Sequence, residues 1–303
     1  MVPLNSAAYL TRGNPASTTA LFAHFAPAHR SFIGLLEAKD EHPAMIGQVE
    51  IPGESLSAHL TFYLSQDGQN LEQMPGLLDG LVKQAGILGA TNVTAELEEN
   101  HPALETFRRC GFSVYARQRI WRIPATTDKS LQAAGRWRDF NEMDYFYIQS
   151  LVQSLVPPMV QRVEGFAHNQ IQGLVYLERG ERYALVDCQY GLQGIFLQPY
   201  IHPEVENLKA VFQELMHDLP AVFDRPVYLA VRSYQAWLEH DLAEMGAVSS
   251  GMRILLVKHI GLQNRAFLKD PLWNAIEQTN PQPSPTTYHS RNNEEALNRY
   301  NPY

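Results

Sequence analysis

The sequence predicts an α/β (α+β) chain of two mixed-sheet units in tandem, with mostly antiparallel strands and flanking helices. Three observations predict it. Strand-like runs divided by Gly, Pro and Asp turns precede an amphipathic helical stripe, which is followed by a strand and a short second helix. The same order then recurs: Gly111 meets Gly246, Phe62 meets Leu197 and Phe112 meets Ala247, all at an offset of 135 residues, which indicates an internal duplication. The length of 303 residues, with 45% hydrophobic and 18% charged residues, suits two globular domains.

In the first unit, residues 31–37, 43–51 and 58–64 are rich in aromatic and branched side chains and read as a strand meander. Leu77, Leu78, Leu81, Val82, Ala85 and Leu88 recur at helical spacing, predicting a helix over 76–88 that Gly86 and Gly89 end. Val93, Ala95 and Leu97 alternate with Thr94, Glu96 and Glu98, the pattern of a strand with one solvated face. A shorter helix with Pro102 near its first turn stops at Gly111, and 112–123 reads as a closing hairpin. The polar stretch 124–130 opens with proline and marks a linker.

The second unit begins with an extra helix over 143–156. Strands follow at 174–177, 183–187 and 194–197, then a helix carrying Leu208, Val211, Phe212, Leu215 and Leu219. A strand at 227–231, a helix at 234–245 and a last strand at 254–259 complete it. The expected domains are 1–125, 126–262 and an appendage with a loose tail at 263–303, because the Asn/Pro-rich end holds too few apolar residues to offset its ordering entropy.

The net charge is −8, and no Lys/Arg run exceeds the pair Arg108-Arg109, so neither nucleic acid nor an anionic membrane is an expected partner. Cys110 and Cys188 form no CxxC pair, which fits a reducing compartment. With no signal-like start and no apolar run long enough to span a bilayer, a cytoplasmic location is expected. The histidines form no HExxH or tight cluster, so no metal is expected. Glu239-His240-Asp241 is not a triad, since adjacent helical positions point apart. Walker, Rossmann and serine-elbow motifs are missing.

The block from Val93 through Glu96, Glu98, Asn100, Ala103 and Phe107 to Gly111-Phe112 resembles the strand, asparagine, short helix and Gly-Phe turn of the GNAT superfamily of acyl-CoA-dependent N-acetyltransferases. The resemblance covers about 58–123, and a weaker copy covers about 192–260. It implies two GNAT-like domains with acetyl-CoA as co-substrate. The pyrophosphate would lie at the N-terminus of the central helix, where free N–H groups and the helix dipole favour an anion. It further implies cofactor contacts at Leu64, Gln69, Met74, Asn100 and Phe107, with the second copy shaping the acceptor pocket.

Two departures accompany the match. Glu72 and Met74 stand where the family's loop has glycines, and the corresponding stretch of the second copy carries Glu204 and Glu206. The tyrosine that protonates the leaving thiolate is replaced by Phe107 in one copy and Leu242 in the other. The base for amine attack then comes from Glu50, Glu54, Glu96, Glu98 or the other half. Glu96 and Glu98 are candidate bases or a solvated strand face. Tyr63 is a candidate catalytic hydroxyl or a core tyrosine, and Asn100 a cofactor contact or a helix cap. Two functions are expected from these readings. One is an N-acetyltransferase acting on a small-molecule or peptide amine; the alternative is a non-catalytic GNAT-like binding or scaffolding protein.

Overall fold

The structure, a computed structural model, describes residues 1–14, 29–37, 44–53, 55–66, 71–124, 133–165, 171–219 and 225–261. Most of the linker stretch and the whole of the expected appendage lie outside them. The first half contains β1 (Val2–Pro3), α1 (Ser6–Arg12), β2 (His29–Leu36), β3 (Met45–Pro52), β4 (Ser57–Ser65), α2 (Met74–Ile87), β5 (Asn92–Glu98), α3 (Leu104–Arg109) and β6 (Ser113–Ile123). The second contains β7 (Arg136–Asp139), α4 (Tyr145–Leu155), α5 (Pro158–Glu164), β8 (Gly173–Glu178), β9 (Glu181–Tyr190), β10 (Ile195–Ile201), α6 (Leu208–Asp218), β11 (Val227–Arg232), α7 (Leu238–Glu244), β12 (Val248–Ser249) and β13 (Arg253–His259). Single 3-10 turns precede α4 and follow β11.

Residues 1–262 form one compact unit around one sheet, in the order β2-β3-β4-β5-β13-β6-β11-β10-β9-β8-β7. That order is an exchange of final strands. β6 ends the first half but pairs with β11 of the second, and β13 ends the second half but lies between β5 and β6. The cores follow the exchange: Ile254 and Leu256 of β13 pack with α2, β3 and β4, whereas Trp121 and Ile123 of β6 pack with α6, β10 and β11.

The duplication is visible in backbone detail. Gly111 and Gly246 both take left-handed φ, at +85° and +79°, which glycine adopts without a Cβ clash. Beside them Phe112 N donates to Phe107 O at 3.1 Å, and Ala247 N donates to Leu242 O at 3.0 Å. The expected hairpin at 112–123 is instead the single strand β6. Between Ser113 and Ile123 stands no Gly, Pro, Asn or Asp to turn the chain, and the partner strand comes from β13.

The helix α1, not foreseen from the sequence, starts where the Asn5 side chain caps the backbone N–H of Ala8. Its Ala7 and Leu10 cover Ile120, Phe196 and Ala230 on the sheet face opposite the main cores. At its far end Gln193 N donates to Thr11 O at 2.9 Å, and a Cβ on Gly191 would stand 2.1 Å from that same oxygen. Gly191→Ala is therefore expected to cost about 2–3 kcal/mol in urea unfolding, because backbone atoms must move apart. A loss below about 0.5 kcal/mol would show that α1 is not docked there.

Among the described residues no helix is long and apolar enough to cross a membrane.

Candidate functional site

Each half contains one parallel strand pair that forks. In the first, β4 and β5 stay in register from Ser57↔Asn92 to His59↔Thr94 and then part. The chain's own N-terminal segment fills the gap. Val2 and Pro3 pair with Tyr63 and Phe62, Leu4 N donates to Thr61 O at 2.8 Å, and Leu4 O accepts from Glu96 N at 2.8 Å. Leu4 is 2% exposed, so the wedge is closed by backbone bonds and by an apolar side chain.

Glu96, expected on a solvated face or as a base, is buried under α1. Its carboxylate accepts from Ser6 N (2.9 Å), Ser6 Oγ (2.7 Å), Gln118 Nε2 (2.9 Å) and Arg253 Nε (2.5 Å). Four donors, three on Oε1 and one on Oε2, hold the carboxylate in place and make it a structural hub. Thr94 is buried on the same side, so β5 is covered on both faces, and alternation misread it because α1 supplies the second cover. Glu50 accepts two bonds from Arg12, at 2.7 and 2.9 Å. Glu98 is 70% exposed with Arg253 Nη1 at 3.6 Å. Glu54 lies outside the described residues.

Tyr63 is buried beside the His101 ring, and burial pushes its phenol up to about 12. Leu64 is half-buried and Met74 fully buried at the start of α2, while Gln69 lies outside the described residues. Phe107 is fully buried edge-on against Phe112, with ring centroids 5.1 Å apart. Asn100 is exposed and does not cap α3; the bond to Ala103 N comes from His101 Nδ1 at 3.1 Å. Glu72, Glu204 and Glu206 are all exposed. Ahead of α6, Asn207 takes φ +50° and its side chain accepts from Ala210 N at 3.4 Å.

The second fork lies between β10 and β11. Their parallel register ends at Leu197↔Leu229, and Gln198 Nε2 bridges to Ala230 O at 3.4 Å where they part. Beyond it five elements bring ionisable groups together. Arg232 Nη2 donates to Glu164 Oε1 at 2.6 Å, and Tyr115 Oη donates to the same oxygen at 2.9 Å. Burial raises the phenols of Tyr115, Tyr200 and Tyr234, the last to about 12, so all three stay protonated at neutral pH. Burial is the largest influence on the Arg232 charge and opposes it, but Glu164 together with Tyr115, Tyr234 and Tyr200 outweighs burial, and the guanidinium stays ionised.

Four polar atoms at the end of β11 and in the turn that follows it are buried with no hydrogen-bond partner among the described residues: Arg232 Nε and Nη1, and both ends of the Gln235 amide. Arg232 is 8% exposed and Gln235 1%. Orphaned buried donors and acceptors cost about 1–3 kcal/mol each, more when charged, unless a ligand or water meets them. They suit an extended ligand bearing amide and carbonyl groups, such as the arm of an acyl-CoA, whereas the first fork has its backbone bonds already made. Gln235 is the position that the 135-residue offset makes equivalent to Asn100, and that offset is the signal that could have found it. Glu164, Tyr115 and Tyr200 carried no comparable signal.

The wall of this site is anchored by Asp144, fully buried ahead of α4. It accepts from Arg138 Nη1 and Nη2 (2.6 Å each), Arg182 Nε (2.9 Å) and Asn141 N (3.1 Å). Burial works to raise its pKa, but the two guanidiniums and the backbone N–H prevail and hold it at about 2, below the ordinary 3.8. Because the folded value is depressed, its stabilisation of about 2 kcal/mol is present above the unfolded pKa and lost as pH falls through the folded one. Asp144→Asn is expected to be less stable at neutral pH and to flatten the acid limb of stability between about pH 4 and 2. An unchanged acid limb in pH-dependent urea melts would contradict the ion-pair assignment.

No protein-family model and no curated protein matches the sequence. Among solved structures, the chain is similar over 85% of its length to a tandem GNAT protein from the clavulanic acid biosynthesis pathway, without acetyl-CoA (93% of that chain, 12% identity, TM-score 0.49). It is similar over 86% to a GCN5-related N-acetyltransferase from Sphaerobacter thermophilus (95% of that chain, 12% identity, TM-score 0.49). A third, a GCN5-related N-acetyltransferase from Kribbella flavida, matches over 80% (94% of that chain, 8% identity, TM-score 0.48). The solved structures to which this chain is similar thus include GNAT acetyltransferases, one of them a tandem protein.

Proposed function

We propose that the chain is an acyl-CoA-dependent N-acyltransferase that moves an acetyl group from acetyl-CoA to an amine, a small molecule or a peptide, and that its acyl site is the second fork. The observation that carries this reading is the contrast between the forks. The first is occupied by Val2–Leu4, while the second holds the unpartnered, buried N–H groups of Arg232 and the amide of Gln235. The cofactor contacts that the resemblance implied in the first copy therefore pass to the second.

Arg232 and Gln235 hold the acyl-CoA arm and orient its thioester. The unprotonated amine nitrogen attacks the thioester carbon, forming C–N as C–S breaks; the departing thiolate takes a proton from a general acid, and the surplus proton on nitrogen passes through water to restore that acid. Leu242, fully buried in α7, cannot give one. Tyr200 and Tyr234, whose phenols burial keeps protonated, take that role. The same buried Leu242, together with Phe107 and the acidic loops at Glu72, Glu204 and Glu206, favours a second reading, a binding or scaffolding protein without catalysis.

Calorimetry and thermal shift with acetyl-CoA separate the two. The expected result is one molecule bound per chain and a raised melting temperature, since a ligand that binds only the folded state stabilises it. No heat and no shift at millimolar acetyl-CoA would sink the acyltransferase reading. A stoichiometry of two would show that the first fork opens.

A further inference from the structure

A cavity of about 190 Å³ opens between α4 and α5, lined among others by Gln149, Val152, Val160, Gln161, Glu164 and Tyr200. Resting on the acyltransferase reading, we propose that this cavity is the acceptor pocket and takes a primary amine on a short, unbranched aliphatic stem, with the nitrogen held by Glu164 Oε2.

The volume sets the size. Pockets for drug-sized ligands run to about 300–1,000 Å³, so this one takes only a handful of non-hydrogen atoms. Such a space excludes a nucleotide or a sugar ring system as the inserted group and suits a few methylenes and a head group. The lining sets the polarity. Val152, Val156 and Val160 give apolar contact for a methylene stem, and Glu164 is the one charged lining residue.

The bonding of Glu164 sets the head group. Its Oε1 already accepts from both Tyr115 and Arg232, and its Oε2 has no hydrogen bond among the described residues. A carboxylate so oriented offers its second oxygen to an N–H donor. Arg232 offsets the charge of Glu164, so recognition rests on the direction of that oxygen and on the stem, not on a strong field, and a weak, millimolar affinity is expected. Gln161 is turned to the protein, its Nε2 donating to Val156 O at 2.6 Å, and does not compete for the ligand. Tyr115 belongs to β6, the strand exchanged from the first half, so this pocket is complete only in the tandem chain.

The test uses the full chain and ligand-observed saturation-transfer NMR with n-butylamine, butan-1-ol and butyrate in parallel. Transfer to butylamine and none to the alcohol or the acid is the expected result. Glu164→Gln is expected to weaken it about tenfold or more, as loss of a charged hydrogen bond does. Gln149→Trp, at a half-exposed lining position that tolerates a large side chain, is expected to block it while the protein stays folded. An octapeptide with one central lysine distinguishes the source: stronger transfer to its lysine methylenes than to butylamine supports the same pocket with a protein lysine as the donor of the amine. Equal transfer to butan-1-ol, or butylamine transfer unchanged in both variants, overturns the proposal. Butylamine binding without acetyl-CoA binding would keep the pocket and sink the acyltransferase reading instead.

Discussion

A chain cut to residues 1–124 is expected not to fold as a monomer. Without β13 the first half loses the strand that pairs with the full length of β5, from Arg253↔Glu98 to His259↔Asn92. It also loses Ile254 and Leu256 from its core, and its own Trp121 and Ile123 are left with no core to enter. Burial of four such side chains contributes about 6–12 kcal/mol together, as much as the whole stability of an ordinary domain. Arg253 leaves as well, and the buried carboxylate of Glu96 loses its partner cation, an uncompensated charge worth about 3–5 kcal/mol. The fragment should be aggregated, or dimeric through reciprocal use of β6 at the vacant edge. Size-exclusion chromatography and far-UV circular dichroism read this directly, and coexpression with residues 125–303 should restore a soluble complex. A monomeric 1–124 with a cooperative urea transition would refute the strand exchange.

The exchange marks the boundary of what the sequence could tell. Hydrophobic periodicity located most strands and helices but not β1, α1, β7, α5 or β12, because it reports which side chains leave water and those elements are too short to show a period. It is silent on which copy receives them: Ile254 and Trp121 read as core residues in either arrangement. The offset of 135 residues did better than periodicity. It paired Gly111 with Gly246, which share a backbone conformation and a following hydrogen bond, and it carries Asn100 onto Gln235.

Glu96 failed for the opposite reason. Alternation is a statement about one strand, whereas its burial is imposed by α1, a seven-residue helix that lies ninety residues away in sequence and has only the Asn5 cap to announce it. The site at the second fork was illegible for a related reason. Its members come from β6, α5, β10, β11 and the turn after β11, and no local spacing links Tyr115, Glu164, Tyr200 and Arg232. The motif that was legible sits in the first copy, where the N-terminal segment occupies the fork. Resemblance of sequence and availability of a site thus part company in this chain. The half that better resembles the GNAT pattern has its strand gap closed by Leu4, and the half with the weaker resemblance holds the orphaned groups of Arg232 and Gln235.

Gln235→Met separates a binding role from a structural one, because the two predict opposite signs. Both ends of the Gln235 amide are buried without a partner among the described residues, at 1% exposure. If the amide exists to meet a ligand, it is a liability to the empty protein. Replacing it with an apolar side chain of similar length and flexibility removes two desolvated groups and should stabilise the fold by about 1–2 kcal/mol. The same change removes a donor and an acceptor from the second fork, so acetyl-CoA should bind about tenfold more weakly. Stability up and affinity down, read by urea unfolding and calorimetry on one variant, is the pattern of a residue kept for its ligand. A structural amide would give the reverse: loss of its hydrogen bonds would lower stability and leave acetyl-CoA affinity where it was. Under that result the Gln235 contact must be abandoned, and the acyl site would rest on Arg232 alone.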